Sequence, residues 1–168
     1  MGTILSRGDR EALSKMNASE VIKAHLRDAH VMQVATVSKE TGRPWVCSVY
    51  VAMDPASTQL YWLSLPGRRH SVEIADNAYA AVALVIESQL PVVGVQAEGL
   101  VAVVQDSTLI EQVMEEYVRR HHTGTSYADR FKNGSAKHVL YCFTPSRFSL
   151  FDERQFPDYS PLEWVVEA

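Results

Sequence analysis

The chain has 168 residues, of which 46% are hydrophobic and 21% charged, and its formal net charge at pH 7 is −4. This length fits a single domain over residues 1–168, and the acidic balance argues against a nucleic-acid partner. No apolar run reaches the roughly 20 residues of a membrane-spanning helix, no signal-peptide pattern opens the sequence, and the two cysteines lie in separate strand-like runs. We therefore expect a cytoplasmic protein with reduced thiols and no membrane partner.

The first elements are a helix and a β-rich block. Residues 1–16 form a polar arm, after which Asn17 and Glu20 read as a helix-capping pair. Apolar positions then recur on one helical face up to Ala29. Three alternating runs follow and predict an antiparallel meander with loops too short for parallel crossovers. These predicted strands are His30–Ser38, Trp45–Met53 and Gln59–Leu65.

The second half alternates strands with helices. HSVEIADN predicts one or two helical turns, and a helix with a clean apolar stripe begins near Asp106. Gly94 and Gly99 within the long strand indicate bends or bulges. The final β segment is interrupted at Pro145, and residues 152–168 form a tail without periodicity. The predicted strands here are Ala80–Ile86, Val92–Val104, and the two halves of the final segment, VLYCF and RFSLF.

Six antiparallel strands with a few helices predict a mainly β protein, a small barrel decorated by helices. The long strand from Val92 is apolar on both faces, so both faces should be covered. A chain of this size has little of its own to cover the second face. We therefore expect a homodimer. The aromatic and proline residues of the tail should bury themselves against the neighbouring subunit; the alternative is a disordered tail. These tail residues are Phe156, Pro157, Tyr159, Pro161 and Trp164.

The junction between the third strand and the next helix is the candidate binding site. Arg68, Arg69 and His70 follow Pro-Gly at a helix start, where the helix dipole disfavours cations unless an anion is present. Free N–H groups, two guanidinium groups, the imidazole and the hydroxyl of Ser64 suit a phosphate. In the alternative interpretation, both arginines lie over the surface and pair with Glu73 or Asp76. The residues alone leave these two interpretations open.

Other chemistry-bearing patterns are weak. The histidines have no second ligand at metal-like spacing, so we expect no metal site. No GxSxG motif, Walker loop, GxGxxG motif or carboxylate pair occurs, and no local motif selects a catalytic triad. We therefore predict no hydrolase and leave the catalytic residues unassigned. Gln96 belongs to a polar row on the fifth strand, where it either binds a cofactor or faces solvent.

Three blocks in order resemble the pyridoxamine 5′-phosphate oxidase-related family, the FMN-binding split β-barrels. They are VATVSKETGRPWVCSVYVAMD, LYWLSLPGRRHSVEIADNAYAAVAL and GVQAEGLVAVVQD, over roughly residues 30 to 106. The second block is the most specific, because members carry a hydroxyl residue on strand three, a basic cluster, a helix, an asparagine and a strand. The resemblance implies a split β-barrel homodimer that binds FMN.

The resemblance also implies which residues bind the cofactor. Ser64, Arg68, Arg69 and His70 match the phosphate donors, with Leu63 beside them; His70 stands where members often have Lys. Strand two matches the stretch whose backbone borders the isoalloxazine ring, and Gln96 falls near a flavin-contacting glutamine. Phe151 matches an aromatic residue that the partner subunit lays near the flavin. The strand-two residues implied are Val46, Cys47, Ser48 and Val49.

Two departures limit what the resemblance implies about activity. The oxidase proper has basic side chains at the positions of Val46 and Val51, and it closes with an Arg-Leu-x-Pro tail that helps hold pyridoxal phosphate. This chain ends SPLEWVVEA. We therefore expect an FMN-dependent oxidoreductase that exchanges hydride at flavin N5 with an unidentified small substrate, and not a vitamin B6 enzyme. The alternatives are a non-catalytic flavin or haem carrier or sensor and an F420-dependent reductase.

Overall fold

A computed structural model describes residues 17–27, 29–53, 57–124, 126–153 and 161–167. Within these residues the chain forms four helices and eight strands. The helices are α1 (Ala18–Leu26), α2 (Arg69–Asp76), α3 (Ser107–His121) and α4 (Ser126–Lys132). The strands are β1 (Val31–Val37), β2 (Pro44–Tyr50), β3 (Ala52–Met53), β4 (Leu60–Ser64), β5 (Tyr79–Glu87), β6 (Val93–Val103), β7 (Val139–Asp152) and β8 (Leu162–Val165).

All described strands belong to one antiparallel sheet that curls into a half-barrel. Its order is β2-β1-β5-β6-β7-β4-β3, and β8 pairs with β7 off this path. The mainly β fold predicted from the sequence is therefore confirmed. The predicted strand Trp45–Met53 is divided at Val51 into β2 and β3, and β8 is an additional short strand. Alternate residues of β1, β5 and β6 point inward and are buried, which forms a continuous core under α1 and α2. The concave face is thus covered by the chain's own helices.

Capping residues in the sequence correctly predicted where helices α1 and α3 begin. The Asn17 side chain accepts a hydrogen bond from the backbone N–H of Ser19 at the start of α1. Asp106 caps α3 by accepting from the N–H groups of Thr108 and Leu109. Side-chain caps of this kind satisfy N–H groups that have no partner within the helix. Helix α4 and strand β8 were not predicted.

The first three predicted strands do not form a simple meander. β2 pairs with β1, but β4 pairs with β3 and β7. The chain leaves the sheet at Val51, so β2 lies at one end of the strand order and β3–β4 at the other. β2 and β4 nevertheless contact each other where the sheet curls round. This correction matters for function because the opening between β2 and β4 is where the candidate site lies.

Pro145 does not interrupt the last strand. β7 runs unbroken over 14 residues, and Pro145 lies opposite Gly99 where the register of β6 and β7 shifts after Glu98. A Cβ added at Gly99 would overlap the carbonyl oxygen of Thr144. A bulge with glycine lets the two backbones approach closely and accommodates a proline that has no N–H to donate. The expectation of a bulge near Gly99 was sound, and the predicted break was wrong.

The described part of the tail packs on its own chain and does have strand structure. Residues Leu162–Val165 pair with Arg147–Leu150 of β7. Trp164 stacks on Phe148 with ring centroids 5.5 Å apart, and the Lys23 amino group lies 5.5 Å from the Trp164 ring. Trp164 therefore packs against the core of its own chain, which corrects the expectation for this residue. Phe156, Pro157 and Tyr159 lie outside the described residues.

The outer, convex face of the sheet is exposed and carries large apolar side chains. On β6, Gln96, Glu98 and Leu100 point outward, so the described residues leave the second face of this strand uncovered. Neighbouring strands add exposed apolar side chains to this outer face: Val31, Val37, Val46, Tyr50, Tyr79 and Val85. Among the described helices, none is long and apolar enough to cross a membrane.

The Trp164–Phe148 contact should stabilise the fold. We expect Trp164→Ala to lower the free energy of unfolding by about 2–4 kcal/mol, because it removes an aromatic pair and leaves a cavity over the core. Val165→Ala, on the same strand but 59% exposed, should change it by less than about 0.5 kcal/mol. Urea denaturation measures both. Equal small losses would show that β8 contributes nothing to the core.

Candidate functional site

The basic residues after strand β4 lie where the half-barrel is open. Leu63 and Ser64 end β4, and Arg68 is the N-cap of α2. No described side chain caps this helix, and its first turn contains no acidic residue. The first-turn N–H groups are therefore left to water or a ligand, and the positive end of the helix dipole remains uncompensated. Local sequence thus builds a site that favours an anion.

These residues line a cleft of about 520 Å³, here called the junction cleft. One end carries the polar groups Ser64, Arg68 and His70. The other end carries Tyr50 and Tyr117, contributed by β2 and α3. His138 also lines the cleft, next to Val139, which pairs with Ser64. Ser48 and Val49 of β2 and Leu63 of β4 form walls between them. The cleft therefore joins an anion-binding end to an aromatic end.

Ser64 is the centre of the polar end. Its side chain is buried, and its Oγ lies 2.8 Å from Nε2 of His70 and 3.3 Å from Oγ of Ser71. When His70 carries its proton on Nε2, the serine oxygen accepts from both neighbours. Its own proton then has only the Leu65 carbonyl oxygen at 3.5 Å, a weak partner at the limit of hydrogen bonding. Ser64 can therefore donate to an anion in the cleft.

His70 is held in its neutral form. Burial is the main cause that lowers its pKa, the nearby Arg68 guanidinium lowers it further, and Glu73 acts in the opposite direction. A phosphate placed beside the ring would favour the imidazolium and raise the pKa. His70 is thus a donor whose strength depends on both pH and ligand.

Arg69 does not line the junction cleft. Its Nε donates to Glu73 at 2.8 Å, and its guanidinium lies 4.5 Å from the ring centroid of Trp45. Glu73 is buried and also accepts a hydrogen bond from the buried Thr36 hydroxyl. The alternative drawn from the sequence, an arginine paired with Glu73, therefore describes Arg69 in this structure. Arg68 fits the other interpretation, because it faces the cleft.

The other predicted cofactor-binding residues do not all lie in the junction cleft. Val46 and Gln96 line a second cleft of about 450 Å³ on the outer sheet face, here called the sheet-face cleft, with a floor that includes Ala35 and Ala83. The Cys47 side chain is half-buried and packs against the core, and it lines neither cleft. Phe151 lines neither cleft.

Sequence reasoning missed the aromatic end. Tyr117 and His121 lie on the helix predicted to begin near Asp106, and no binding role was predicted for either residue. His121 donates from Nε2 to the Val51 carbonyl oxygen at 2.9 Å, and its ring contacts those of Tyr50 and Tyr117 at centroid distances of 4.9 and 4.7 Å. No local motif joins Tyr50 to these two helical residues, which lie far from it in the chain. Among the described residues, no group of three or more His, Cys, Asp and Glu side chains could hold a metal ion. The absence of a metal site stays a prediction.

The family model for pyridoxamine 5′-phosphate oxidase matches residues 18–152. No curated protein matches the chain in sequence. A conserved hypothetical protein from Mycobacterium tuberculosis has a similar structure, with 16% identity, a TM-score of 0.69, and coverage of 84% of this chain and 88% of that one.

Two further solved structures share the fold. General Stress Protein 26 from Bacillus anthracis has 17% identity and a TM-score of 0.66, over 90% of this chain and 100% of that one. The haem storage protein from Vibrio cholerae has 20% identity and a TM-score of 0.58, over 77% of this chain and 91% of that one. At these identities the similarity concerns the fold.

The protonation of His70 can be checked directly. We expect its NMR titration in the ligand-free protein to give a pKa below that of an exposed histidine, because burial and Arg68 disfavour the imidazolium. Arg68→Ala should raise this pKa, since it removes a repulsive positive charge. Arg119→Ala, which removes an exposed arginine on α3, should leave it unchanged. A His70 that titrates at or above the ordinary value in the unmodified protein would contradict the described environment.

Proposed function

Because the chain belongs to the pyridoxamine 5′-phosphate oxidase family, we propose that it is a flavoprotein that binds FMN and exchanges hydride with a small substrate. The observation that carries the proposal is the convergence of Ser64, Arg68 and His70 at one end of the junction cleft. FMN ends in a phosphate monoester, which suits a hydroxyl, a guanidinium fork and an imidazole at a helix start. Phosphate contacts of this kind anchor a cofactor without taking part in its chemistry.

The rest of the junction cleft also suits the cofactor. Its volume of about 520 Å³ falls within the usual range for small-molecule sites, and its far end is lined by Tyr50 and Tyr117. Ser48 and Val49 supply the β2 edge that would border the isoalloxazine ring. When bound, FMN supplies hydride exchange at its N5 atom. The chain's own contribution is to hold the phosphate and to enclose one side of the ring.

The outer face of the sheet supports a second part of the proposal, a homodimer. Its exposed apolar side chains include Val46, Tyr79, Val85 and Leu100, which are 48–71% exposed. An apolar area of this kind is normally covered by a partner. The predicted flavin residues Val46 and Gln96 lie on this same face, in the sheet-face cleft. A second copy of the chain would therefore enclose them at the subunit boundary.

Haem is the second candidate ligand. The observation that favours it is that His138 and His70 both line the junction cleft, because imidazole is a common axial ligand of haem iron. Arg68 would then pair with a haem propionate. The similar structure from Vibrio cholerae is a haem storage protein. FMN remains the preferred ligand, because a helix start with hydroxyl and guanidinium donors matches a phosphate more closely than it matches a propionate.

Purification followed by absorbance and mass measurement of the released ligand tests the proposal. We expect a flavin spectrum, the mass of FMN, and bleaching of the flavin band by NADH or NADPH. A flavin spectrum that no reductant and substrate pair turns over would favour a carrier or sensor. A Soret band would establish the haem alternative, and the mass of F420 would establish the deazaflavin alternative.

The cofactor's phosphate should depend on Arg68. Arg68→Ala removes a charge-assisted hydrogen bond of about 1.5–3 kcal/mol, so FMN affinity should fall roughly 10- to 100-fold. Arg119→Ala removes the same charge on α3 and should leave the affinity within about twofold. Fluorescence titration of FMN measures both variants. Equal affinities for Arg68→Ala and the unmodified protein would remove Arg68 from the site.

The homodimer can be tested on the outer face. Val85→Glu combined with Leu100→Glu should convert the protein to a monomer, because charges in an apolar interface core lose their hydration without gaining partners. Val72→Glu is the matched control, because Val72 is 50% exposed but lies on α2 and not on the sheet. Light scattering after size exclusion gives the mass of each variant. A dimer that survives the double substitution would place the interface elsewhere.

A further inference from the structure

Glu73 is a buried carboxylate one helical turn beyond the basic junction. Its residue is only 7% exposed, and both carboxylate oxygens are engaged, one by the Thr36 hydroxyl and the other by Nε of Arg69 at 2.8 Å. The hydrogen bond from Thr36 is the main cause that lowers its pKa, and Arg69 and His70 act in the same direction. Glu73 is therefore ionised at neutral pH, directly behind a site built for anions.

A negative charge at this place would repel a phosphate bound at the junction. Burial of a carboxylate is costly unless it is fully paired, and Thr36 and Arg69 supply that pairing. The same contacts fix Arg69, whose guanidinium lies over Trp45 and outside the junction cleft. With Arg69 neutralised by Glu73, Arg68 is the arginine that faces the ligand, and His70 decides whether a second positive charge is present.

We propose that Glu73 is a positioning and specificity-determining residue of the anion site, which holds Arg69 away from the ligand and limits the positive charge that the ligand meets. This inference rests on the proposed binding of FMN through its phosphate. It assigns opposite roles to two adjacent arginines, because Arg68 binds the ligand and Arg69 binds the protein. It also makes anion affinity depend on the protonation of His70.

The charged and titratable groups around His70 set the direction of that dependence. Arg68 and Glu73 lie on its own helix, His138 lines the same cleft from the segment before β7, and Ser64 on β4 is a neutral hydrogen-bond partner. A bound dianion favours the imidazolium, so affinity is highest at low pH and falls as the pH rises through the pKa of the bound state. Glu73 also favours the imidazolium, so its neutralisation should move this fall to lower pH.

The test is a double-mutant cycle on Glu73 and Arg69, with inorganic phosphate and FMN as probes and calorimetry as the measurement. Arg69→Ala alone should change affinity by less than about twofold, because this arginine does not face the ligand. Glu73→Gln keeps the shape and an acceptor for Thr36 but releases Arg69, so affinity at pH 8 should rise roughly tenfold. Arg69→Ala in the Glu73→Gln background should abolish that gain.

Asp76→Asn is the matched control, because it removes one negative charge from the exposed side of the same helix. Its affinity should stay within about twofold of the unmodified protein, with an unchanged pH midpoint. A Glu73→Gln variant that binds more weakly, or no better than Asp76→Asn, would overturn the inference. A loss of affinity in Arg69→Ala as large as that in Arg68→Ala would also overturn it. This comparison tests the inference even if Glu73→Gln does not fold. An unmodified protein that binds neither probe would overturn the proposed function as well.

Discussion

The pairing of strand β4 with strand β7 determines where this protein can bind a ligand. In an uninterrupted meander β4 would continue from β2, and the basic junction would follow a closed sheet. Instead β4 joins the far side of the sheet with Ser64 opposite Val139, which brings His138 to the same region. β2 and β4 then face each other across an opening that helix α2 enters with its N-terminus. The junction cleft is a consequence of this strand order.

The charges of the junction follow from the same geometry. Helix α2 buries His70 and Glu73 on its inner side and leaves Arg68 and Arg69 at the rim. A buried carboxylate requires partners, and Thr36 on β1 and Arg69 provide them. Arg69 and Glu73 are thereby paired with each other. Arg68 and His70 remain to face the cleft, so the site's positive charge is smaller than three basic residues in a row suggest.

Much of the fold could be predicted from local sequence, because strand alternation and helix caps depend on neighbouring residues. Asp106 and Asn17 marked helix starts, and Gly99 marked a bulge. What could not be predicted depends on contacts between distant segments. The pairing of β4 with β7 and the packing of Trp164 on Phe148 are both of this kind.

The candidate site shows the same division. The basic cluster and Ser64 are recognisable in one short stretch, and the structure brings Ser64, Arg68 and His70 to one cleft. The engagement of Arg69 by Glu73 was one of two open alternatives, because side-chain direction at a helix start is set by the facing strand and by Trp45. Tyr50 lies on β2, whereas Tyr117 and His121 lie one turn apart on α3, and only the folded chain brings Tyr50 next to the two helical residues.

The central claim is that the junction cleft holds a cofactor by its phosphate. The most direct test compares the affinities of FMN and riboflavin, which carry the same ring and differ only in the phosphate, at one pH and ionic strength. Two charge-assisted contacts of about 1.5–3 kcal/mol each predict that FMN binds at least about a hundredfold more tightly. Equal affinities for the two flavins would contradict the account, because the ring would then be held without the junction.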